Sequence, residues 1–306
     1  MKVEEIVGFS LGFMLKKPKS MLFFIPAFLL NIAAAMAIYF ILGNLVTNPE
    51  EYAELFKPVI LSGNFLSIFL IPQIQTTIGF FLLVGVVGWV LTSYASICIY
   101  GAAKSEQERK RWKVNEILKK SIEILPGYLL LLITVGIITI IPVSLMLIPT
   151  VILAIVSQLG LFTPVILGLF GLLVALIFAI PAFIPAIYLA VRLYAALPVL
   201  VIEGKGIVES LKRSWSLTSG SFWYVLGHVV LFFIIITVIS MVLGFPVAII
   251  GSAGVSSCDT GCQPGPFTII SDFLHQLIGF YATAAWAVFI YMIYLSLVER
   301  KDGSKA

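Results

Sequence analysis

Charge is scarce in this chain. Only 11% of its 306 residues are Asp, Glu, Lys or Arg, whereas 60% are hydrophobic, and the mean hydropathy is +1.11. A soluble domain carries about 25% charged residues, and a soluble core could not hide this much apolar surface. The scarcity of charge therefore excludes a soluble globular protein and indicates one whose surface is largely covered by lipid.

Histidine and cysteine are also rare, with two and three residues respectively. The sequence has no His-Glu-x-x-His zinc motif and no Gly-x-Ser-x-Gly nucleophile motif. Gly204-Lys205 would need a glycine at position 199 to resemble a phosphate-binding loop, and Val199 stands there. We therefore predict no catalytic residue, no bound metal and no cofactor, and thus a protein that is not an enzyme.

Long apolar runs are abundant instead. Crossing the hydrocarbon core of a bilayer takes about 20 residues, and the predicted spans are 20–45, 74–100, 124–148, 165–200, 221–247 and 271–298. The predicted fold is all-α, a polytopic bundle of six transmembrane helices that forms a single membrane domain over residues 1–306. Residues 48–71 and 151–159 are predicted to lie in external segments.

The basic residues give the orientation. All but two of the 19 Lys and Arg residues lie within 1–20, 101–120, 203–220 and 300–306, and the exceptions are Lys57 and Arg192. These four segments alternate with pairs of predicted spans. Because Lys and Arg accumulate on the cytoplasmic side, we predict a multi-pass protein of the cell membrane with both termini in the cytoplasm.

The cluster Arg109-Lys-Arg-Trp-Lys113 is open to two interpretations. It is either ordinary charge that sets the topology or a binding site for anionic headgroups. Nucleic-acid binding is not expected, because Glu106, Glu108 and Glu116 dilute the positive charge.

Three short segments share a Glu and a Ser five residues apart, at Glu5–Ser10, Glu116–Ser121 and Glu209–Ser214. Each carries a helix-spaced apolar stripe and precedes a helix breaker (Pro18, Pro126-Gly127 or Gly220) just before a span. An amphipathic helix with basic flanks lies in the headgroup layer. The pattern predicts three cytoplasmic interfacial helices, each followed by a transmembrane hairpin, in repeats 1–103, 104–203 and 204–306. Chance similarity among interfacial helices is the alternative.

The stretch ALPVLVIEGKGIVESLKRSWSLTSGSFW, residues 196–223, carries a family resemblance. It resembles the membrane domain attached to some glycerophosphoryl diester phosphodiesterases and related uncharacterised prokaryotic membrane proteins. The matching positions are Arg192, Pro198, Glu203, Leu211, Arg213, Ser214, Trp215, Gly220 and Trp223. The sequence contains no hydrolytic phosphodiesterase domain, so the resemblance implies a fold and proximity to lipid metabolism rather than catalysis.

Arg192 is the one basic residue inside a predicted span. A charge at membrane depth costs about 2.5–3.5 kcal/mol and usually faces a partner or water, and Arg192 would be shallower if Pro198 ended the helix. We predict a structural ion pair with Glu203, Glu209 or Glu116, with a lipid phosphate as the alternative partner. The candidate headgroup ligands are Arg192, Lys212, Arg213, Trp215 and Trp223.

Cys258 and Cys262 fall in a predicted external loop, where oxidising conditions permit a disulfide. A disulfide is the leading prediction, and free thiols are the first alternative. A metal site with Asp272 and His275 is the second, although structural zinc sites favour another close Cys or His pair. Cys98 is predicted to lie in the core of the second span.

The leading functional hypothesis is a non-enzymatic integral membrane protein that associates with membrane lipids or with another membrane protein. The alternative is a transporter or channel for a small solute or a lipid. Transporters coupled to protons or sodium usually keep carboxylates inside their spans, and no Asp or Glu lies clearly at the midplane of the predicted spans. A water-filled cavity that reaches Arg192 would favour transport.

Overall fold

The computed structural model describes residues 3–47, 57, 71–110, 113–144, 177, 181–253 and 266–303. These residues are almost entirely helical, and they include no strand. A 3-10 segment, Pro18–Phe24, follows the first helix. The helices are α1 (Val3–Lys16), α2 (Ile25–Thr47), α3 (Pro72–Gln107), α4 (Val114–Ser144), α5 (Pro181–Glu203), α6 (Ile207–Thr218), α7 (Phe222–Ala253) and α8 (Pro266–Gly303).

Within the described residues, six helical stretches are long and apolar enough to cross a membrane. They are Pro18–Ala37, Ile74–Gln107, Val114–Ser144, Pro181–Glu203, Phe222–Ser252 and Phe267–Lys301. Each overlaps one predicted span. Large apolar side chains such as Leu82, Ile140 and Val242 are exposed on these helices, as a helix that faces lipid requires. The predicted all-α membrane fold is confirmed.

Of two prolines that were expected to break or end helices, Pro126 does not, whereas the α-helix of α5 is interrupted just before Pro198. Pro126 lies inside α4, so residues 114–121 continue directly into the third span rather than forming a separate helix. In α5 the α-helix is interrupted by a turn at residues 194–195, resumes as Ala196–Pro198 and continues as π-helix over Val199–Glu203. A proline removes its own N–H from the helix ladder, and its ring crowds the carbonyl four residues earlier, which is that of Tyr194 in α5. Neighbouring groups in a bundle can satisfy a carbonyl that loses its donor.

Glycines mark the turns on either side of α6. Gly204, with φ 66°, follows the π-helical end of α5, and Gly220, with φ 78°, separates α6 from α7. Both lie in the left-handed region that glycine adopts without steric cost. These two turns delimit α6 as a separate helix.

The chain divides into two compact units. Unit 1 comprises Met1–Ile6, Lys119–Val230 and Phe289–Ala306, and its core includes Leu131, Leu217 and Tyr291. Unit 2 comprises Val7–Leu118 and Leu231–Val288, and its core includes Ile97, Tyr100 and Phe232. The single domain and its three repeats stay predictions.

Candidate functional site

The motif that resembles the family pattern folds in unit 1 as two helical segments that run antiparallel. At the turn, the Ser210 hydroxyl donates to the carbonyl oxygen of Lys205 at 3.4 Å. Farther along α6, the hydroxyls of Ser214 and Thr218 donate to the carbonyl oxygen of Arg192, at 2.8 and 3.2 Å. The buried face of α6 is thus made of small hydroxyl side chains and Leu217, which lets its backbone approach α5 closely.

The Arg192 guanidinium lies among aromatic rings. Its Nε donates to the hydroxyl oxygen of Tyr188 at 3.0 Å. Its Cζ is 5.0 Å from the ring centroid of Tyr188 and 5.2 Å from that of Trp215. Both distances are within the range of a cation–π interaction. Nη1 is buried and has no hydrogen-bond partner among the described residues.

These rings continue into a short aromatic strip that consists of Trp215, Tyr188, Phe222 and Trp223. Successive ring centroids along it are 6.0, 5.4 and 5.2 Å apart. The indole of Trp223 is 79% exposed and that of Trp215 is 42% exposed. Exposed tryptophans at the end of an apolar helix are typical of the boundary between lipid tails and headgroups.

Glu203 is the acidic centre of unit 1. Its side chain is only 18% exposed, and Oε2 lies 2.5 Å from the Nζ of Lys205. Oε1 accepts a hydrogen bond from the Tyr294 hydroxyl at 2.9 Å and lies 3.5 Å from the Nε of Arg213. The carboxylate therefore ties the end of α5, the Gly204 turn, α6 and α8 together.

The end of α8 is held by further polar contacts within unit 1. The Tyr224 hydroxyl donates to the Ser296 hydroxyl oxygen at 3.2 Å, and the guanidinium of Arg300 lies 3.6 Å from the Tyr224 ring centroid. The Lys301 ammonium donates to the backbone carbonyl of Ser216. His228 is buried against the Tyr224 ring, and its Nδ1 lies 2.7 Å from the Tyr224 carbonyl oxygen.

The predicted ion pair between Arg192 and Glu203 is not formed. The turn at Gly204 brings Lys205 and Arg213 to Glu203, while Arg192 lies more than two turns back along α5. Glu209 is exposed on α6, and Glu116 pairs with Lys113 at 2.8 Å. The aromatic rings take the place of the expected carboxylate.

Of the predicted headgroup ligands, the structure joins Arg192 with Trp215, and it links Trp223 to them through Phe222. Lys212 is exposed on α6, and Arg213 turns to Glu203. The predicted site residues did not include Tyr188, Phe222 and Tyr294. Tyr188 precedes Arg192 by four residues, which places them on one helix face, so it could have been found. Tyr294 is 91 residues from Glu203 and gives no local signal.

The cysteine prediction concerns Cys258 and Cys262, which lie outside the described residues. Of their suggested metal partners, Asp272 and His275 are described, and the Nδ1 of His275 lies 3.0 Å from the Ser271 carbonyl oxygen. The described part of the chain contains no group of three His, Cys, Asp or Glu side chains that could hold a metal ion. Cys98 is buried in α3.

A protein-family model described as the membrane domain of glycerophosphoryl diester phosphodiesterase matches residues 55–306. The chain belongs to this family. The match covers the whole site around Arg192 and Glu203 and leaves α1 and α2 outside it. No curated protein and no solved structure matches the chain. Membership confirms the resemblance inferred from residues 192–223 and, with the six apolar helices, an integral membrane protein.

Proposed function

We propose that this family member is a non-enzymatic membrane protein whose Arg192 site holds the phosphate of a membrane-lipid headgroup. The observation that carries the proposal is a guanidinium with two aromatic partners and no carboxylate partner among the described residues. Most of its N–H groups thus have no acceptor within the described protein. Arg presents a planar fork of donors that matches a phosphate in a bidentate manner.

The level of Arg192 along the bundle supports a headgroup as the partner. The carbonyl oxygen of Arg192 accepts a hydrogen bond from the last turn of α6. The next helix, α7, begins at Phe222, immediately after the Gly220 turn. Arg192 is therefore level with the start of the next span rather than with its middle. The exposed indoles of Trp215 and Trp223 suit the headgroup layer, so a lipid phosphate can reach the guanidinium there.

The surroundings of Arg192 favour binding over catalysis. General acid–base chemistry needs a titratable group within hydrogen-bond reach of the reacting atom. The nearest carboxylate along the motif, Glu203, is already held by Lys205, Tyr294 and Arg213. The aromatic strip supplies no such group, so we propose retention of a lipid without chemical change.

Lipid retention tests the proposal directly. The protein, extracted into detergent from membranes of known lipid composition, is compared with Arg192→Ala by native mass spectrometry. We expect the wild-type protein to retain phospholipid and Arg192→Ala to retain less, by the lipid bound at this site. Lys212→Ala is the matched control, because it removes an exposed cation of the same motif and should retain phospholipid like the wild type. Equal retention by all three proteins would contradict the proposal.

Flux measurements separate this proposal from a transporter. The protein reconstituted into vesicles is expected to bind phospholipid without accelerating lipid exchange between leaflets or the release of entrapped small solutes. Flux that depends on Arg192 would favour the transporter hypothesis instead.

The orientation that we propose places the basic segments and both termini in the cytoplasm. In a variant without native cysteines, Lys57→Cys and Glu108→Cys should react with an impermeant thiol reagent from opposite sides of the membrane. Reaction of both from the outer side would contradict the six-span topology, because 57 and 108 flank a single span, Ile74–Gln107.

A further inference from the structure

A basic cavity lies in unit 2, where the 3-10 segment meets the end of α3. Its volume is about 700 Å³, and the described residues that line it are five cations, one carboxylate, Pro18 and Val114. The charged residues are Lys16, Lys17, Lys19, Glu106, Arg109 and Lys110. None of them belongs to the Arg192 site.

The protein balances only part of this positive charge. Lys17 pairs with Glu106 at 3.1 Å, and Lys110 pairs with Glu108 at 2.6 Å. Lys16, Lys19 and Arg109 have no carboxylate partner within the described ranges. Cations that converge on a cavity without protein partners favour an anionic ligand.

Arg109 has a backbone conformation that usually belongs to glycine. Its φ is 53°, and its N–H donates to the Glu106 carbonyl oxygen while the N–H of Lys110 donates to that of Ser105. This is the Schellman arrangement, in which the residue after the helix cap is most often glycine. A left-handed arginine is less stable than glycine at this position, so Arg109 costs local stability.

An apolar groove lies next to the basic cavity along the chain. Its volume is about 180 Å³, and the lining residues are Met21, Leu22, Phe24, Ile25, Phe28, Leu277 and Phe280. Lys19 of the cavity and Leu22 of the groove are one turn apart on the 3-10 segment, about 6 Å at the rise of that helix. Cationic and apolar binding surfaces therefore follow each other within a few residues.

We infer that this region binds one anionic phospholipid, with its phosphate among Lys16, Lys19 and Arg109 and an acyl chain along the groove. A free phosphate would satisfy the cations but leave the groove empty, whereas a phospholipid matches both. The inference shares membrane residence with the proposed function but uses different residues, in α1, the 3-10 segment and α3. It therefore stands or fails independently of Arg192.

Binding to phospholipid of stated charge tests the inference. The full-length protein in nanodiscs of phosphatidylcholine is titrated with phosphatidylglycerol, and bound lipid is counted by native mass spectrometry. We expect Lys16→Gln with Lys19→Gln to weaken phosphatidylglycerol binding about tenfold or more, since each cation near a headgroup contributes about 1 kcal/mol. Lys119→Gln with Lys120→Gln, the matched control on the exposed start of α4, should leave binding unchanged. Equal losses in the two double variants would overturn the inference.

Arg109→Gly separates a ligand-binding role from a structural one. We expect weaker phosphatidylglycerol binding together with an unchanged or higher melting temperature, because glycine suits the left-handed position. A lower melting temperature with unchanged lipid binding would overturn the assignment of Arg109.

Further arms distinguish a lipid from a soluble anion. Leu22→Gln, at an exposed position of the groove, should weaken binding of phosphatidylglycerol. Inorganic phosphate at millimolar concentration should compete only weakly. Full competition by phosphate, with no effect of Leu22→Gln, would show a soluble-anion site instead. Arg192→Ala should keep this lipid even if it loses the other, so that the two proposals can fail separately.

Discussion

The two units treat positive charge differently. In unit 1, Lys205 and Arg213 pair with Glu203, and Arg300 stacks on Tyr224. In unit 2, Lys16 and Lys19 line a cavity without a described carboxylate partner. All of these basic residues fall within the segments that the charge distribution predicts to be cytoplasmic. The clustering of Lys and Arg in these segments therefore has two different physical roles. In unit 1 the basic side chains stabilise turns, and in unit 2 they create a positive cavity that favours an anion.

The two units also differ in which residues adopt a left-handed backbone conformation. Unit 1 has Gly204 and Gly220 in this conformation, so its turns form without backbone strain, whereas unit 2 has Arg109. A residue that opposes its local backbone preference often marks a functional site. Both differences predict that substitutions at Glu203 and at the two glycine turns of unit 1 chiefly change stability, whereas those at the basic cavity of unit 2 chiefly change binding.

The largest expected effect is that of Glu203→Gln. It leaves Lys205 and Arg213 without their carboxylate in a mostly buried setting, and it should lower the free energy of unfolding by about 1–3 kcal/mol. The matched change in unit 2 is Glu106→Gln, which removes a more exposed ion pair worth about 0–1 kcal/mol. Thermal unfolding in one detergent measures both. Equal destabilisation by the two variants would remove the contrast between the units.

Glu106→Gln has a further use, since Glu106 is the only carboxylate among the described residues that line the basic cavity. Its neutralisation should strengthen phosphatidylglycerol binding, although it costs a little stability. Glu203→Gln should leave binding at that cavity unchanged.

Arg192→Ala is expected to have the next largest effect. The substitution removes two cation–π contacts and the hydrogen bond to Tyr188, which together should lower the free energy of unfolding by about 1–2 kcal/mol. Lys212→Ala, at an exposed position on α6, should change it by less than about 0.5 kcal/mol. Near-identical melting temperatures for the two variants would show that the aromatic contacts of Arg192 contribute little to stability.

The sequence predicted the spans well because hydropathy and length directly express the cost of burying polar backbone and charge in lipid. It also located the site, since residues 192–223 hold Arg192, Glu203, Arg213 and Trp215. It failed on the partners of Arg192 because the Gly204 turn decides which cation reaches Glu203. Tyr294 and Ser296 belong to α8, far along the chain from their partners Glu203 and Tyr224. The spacing of residues within a short segment cannot predict contacts over such a sequence separation.

Two prolines mark the limit of local rules. Pro126 and Pro198 have the chemistry of helix breakers, yet α4 passes through Pro126, and the chain is helical again up to and beyond Pro198 after a turn at residues 194–195. In water a proline can end a helix, because the chain that follows it can leave the helix and be solvated. Inside a bundle the apolar flanks keep the helix going, and in α5 the π-helical turns absorb the irregularity.

A pair of opposite substitutions sharpens the contrast in backbone strain. Gly220→Ala places a Cβ on a left-handed residue and should destabilise the protein by about 1 kcal/mol, and Arg109→Gly should stabilise it by a similar amount. The glycine control is Gly227→Ala, at a helical position with open space around the new Cβ, which should be neutral or slightly stabilising. Opposite signs at 109 and 220 in thermal unfolding are the expected result. Destabilisation by Arg109→Gly would show that its side chain supports the fold.

The smallest expected changes in stability come from variants that test the predicted repeat. The repeat would place an equivalent helical segment with a buried serine in both units. The three serines that define the pattern, Ser10, Ser121 and Ser214, are all buried, with exposures of 0%, 3% and 0%. The Ser214 hydroxyl donates a hydrogen bond to the Arg192 carbonyl oxygen in the neighbouring helix, α5. If the three segments are equivalent, alanine at each serine should lower the free energy of unfolding by a similar amount, about 0.5–1 kcal/mol, since each change removes one buried hydroxyl hydrogen bond. Ser219→Ala, at an exposed position after α6, is the control and should be neutral. A loss confined to Ser214 would mean that its contact with α5 is particular to that segment and that the shared Glu and Ser spacing arose from composition.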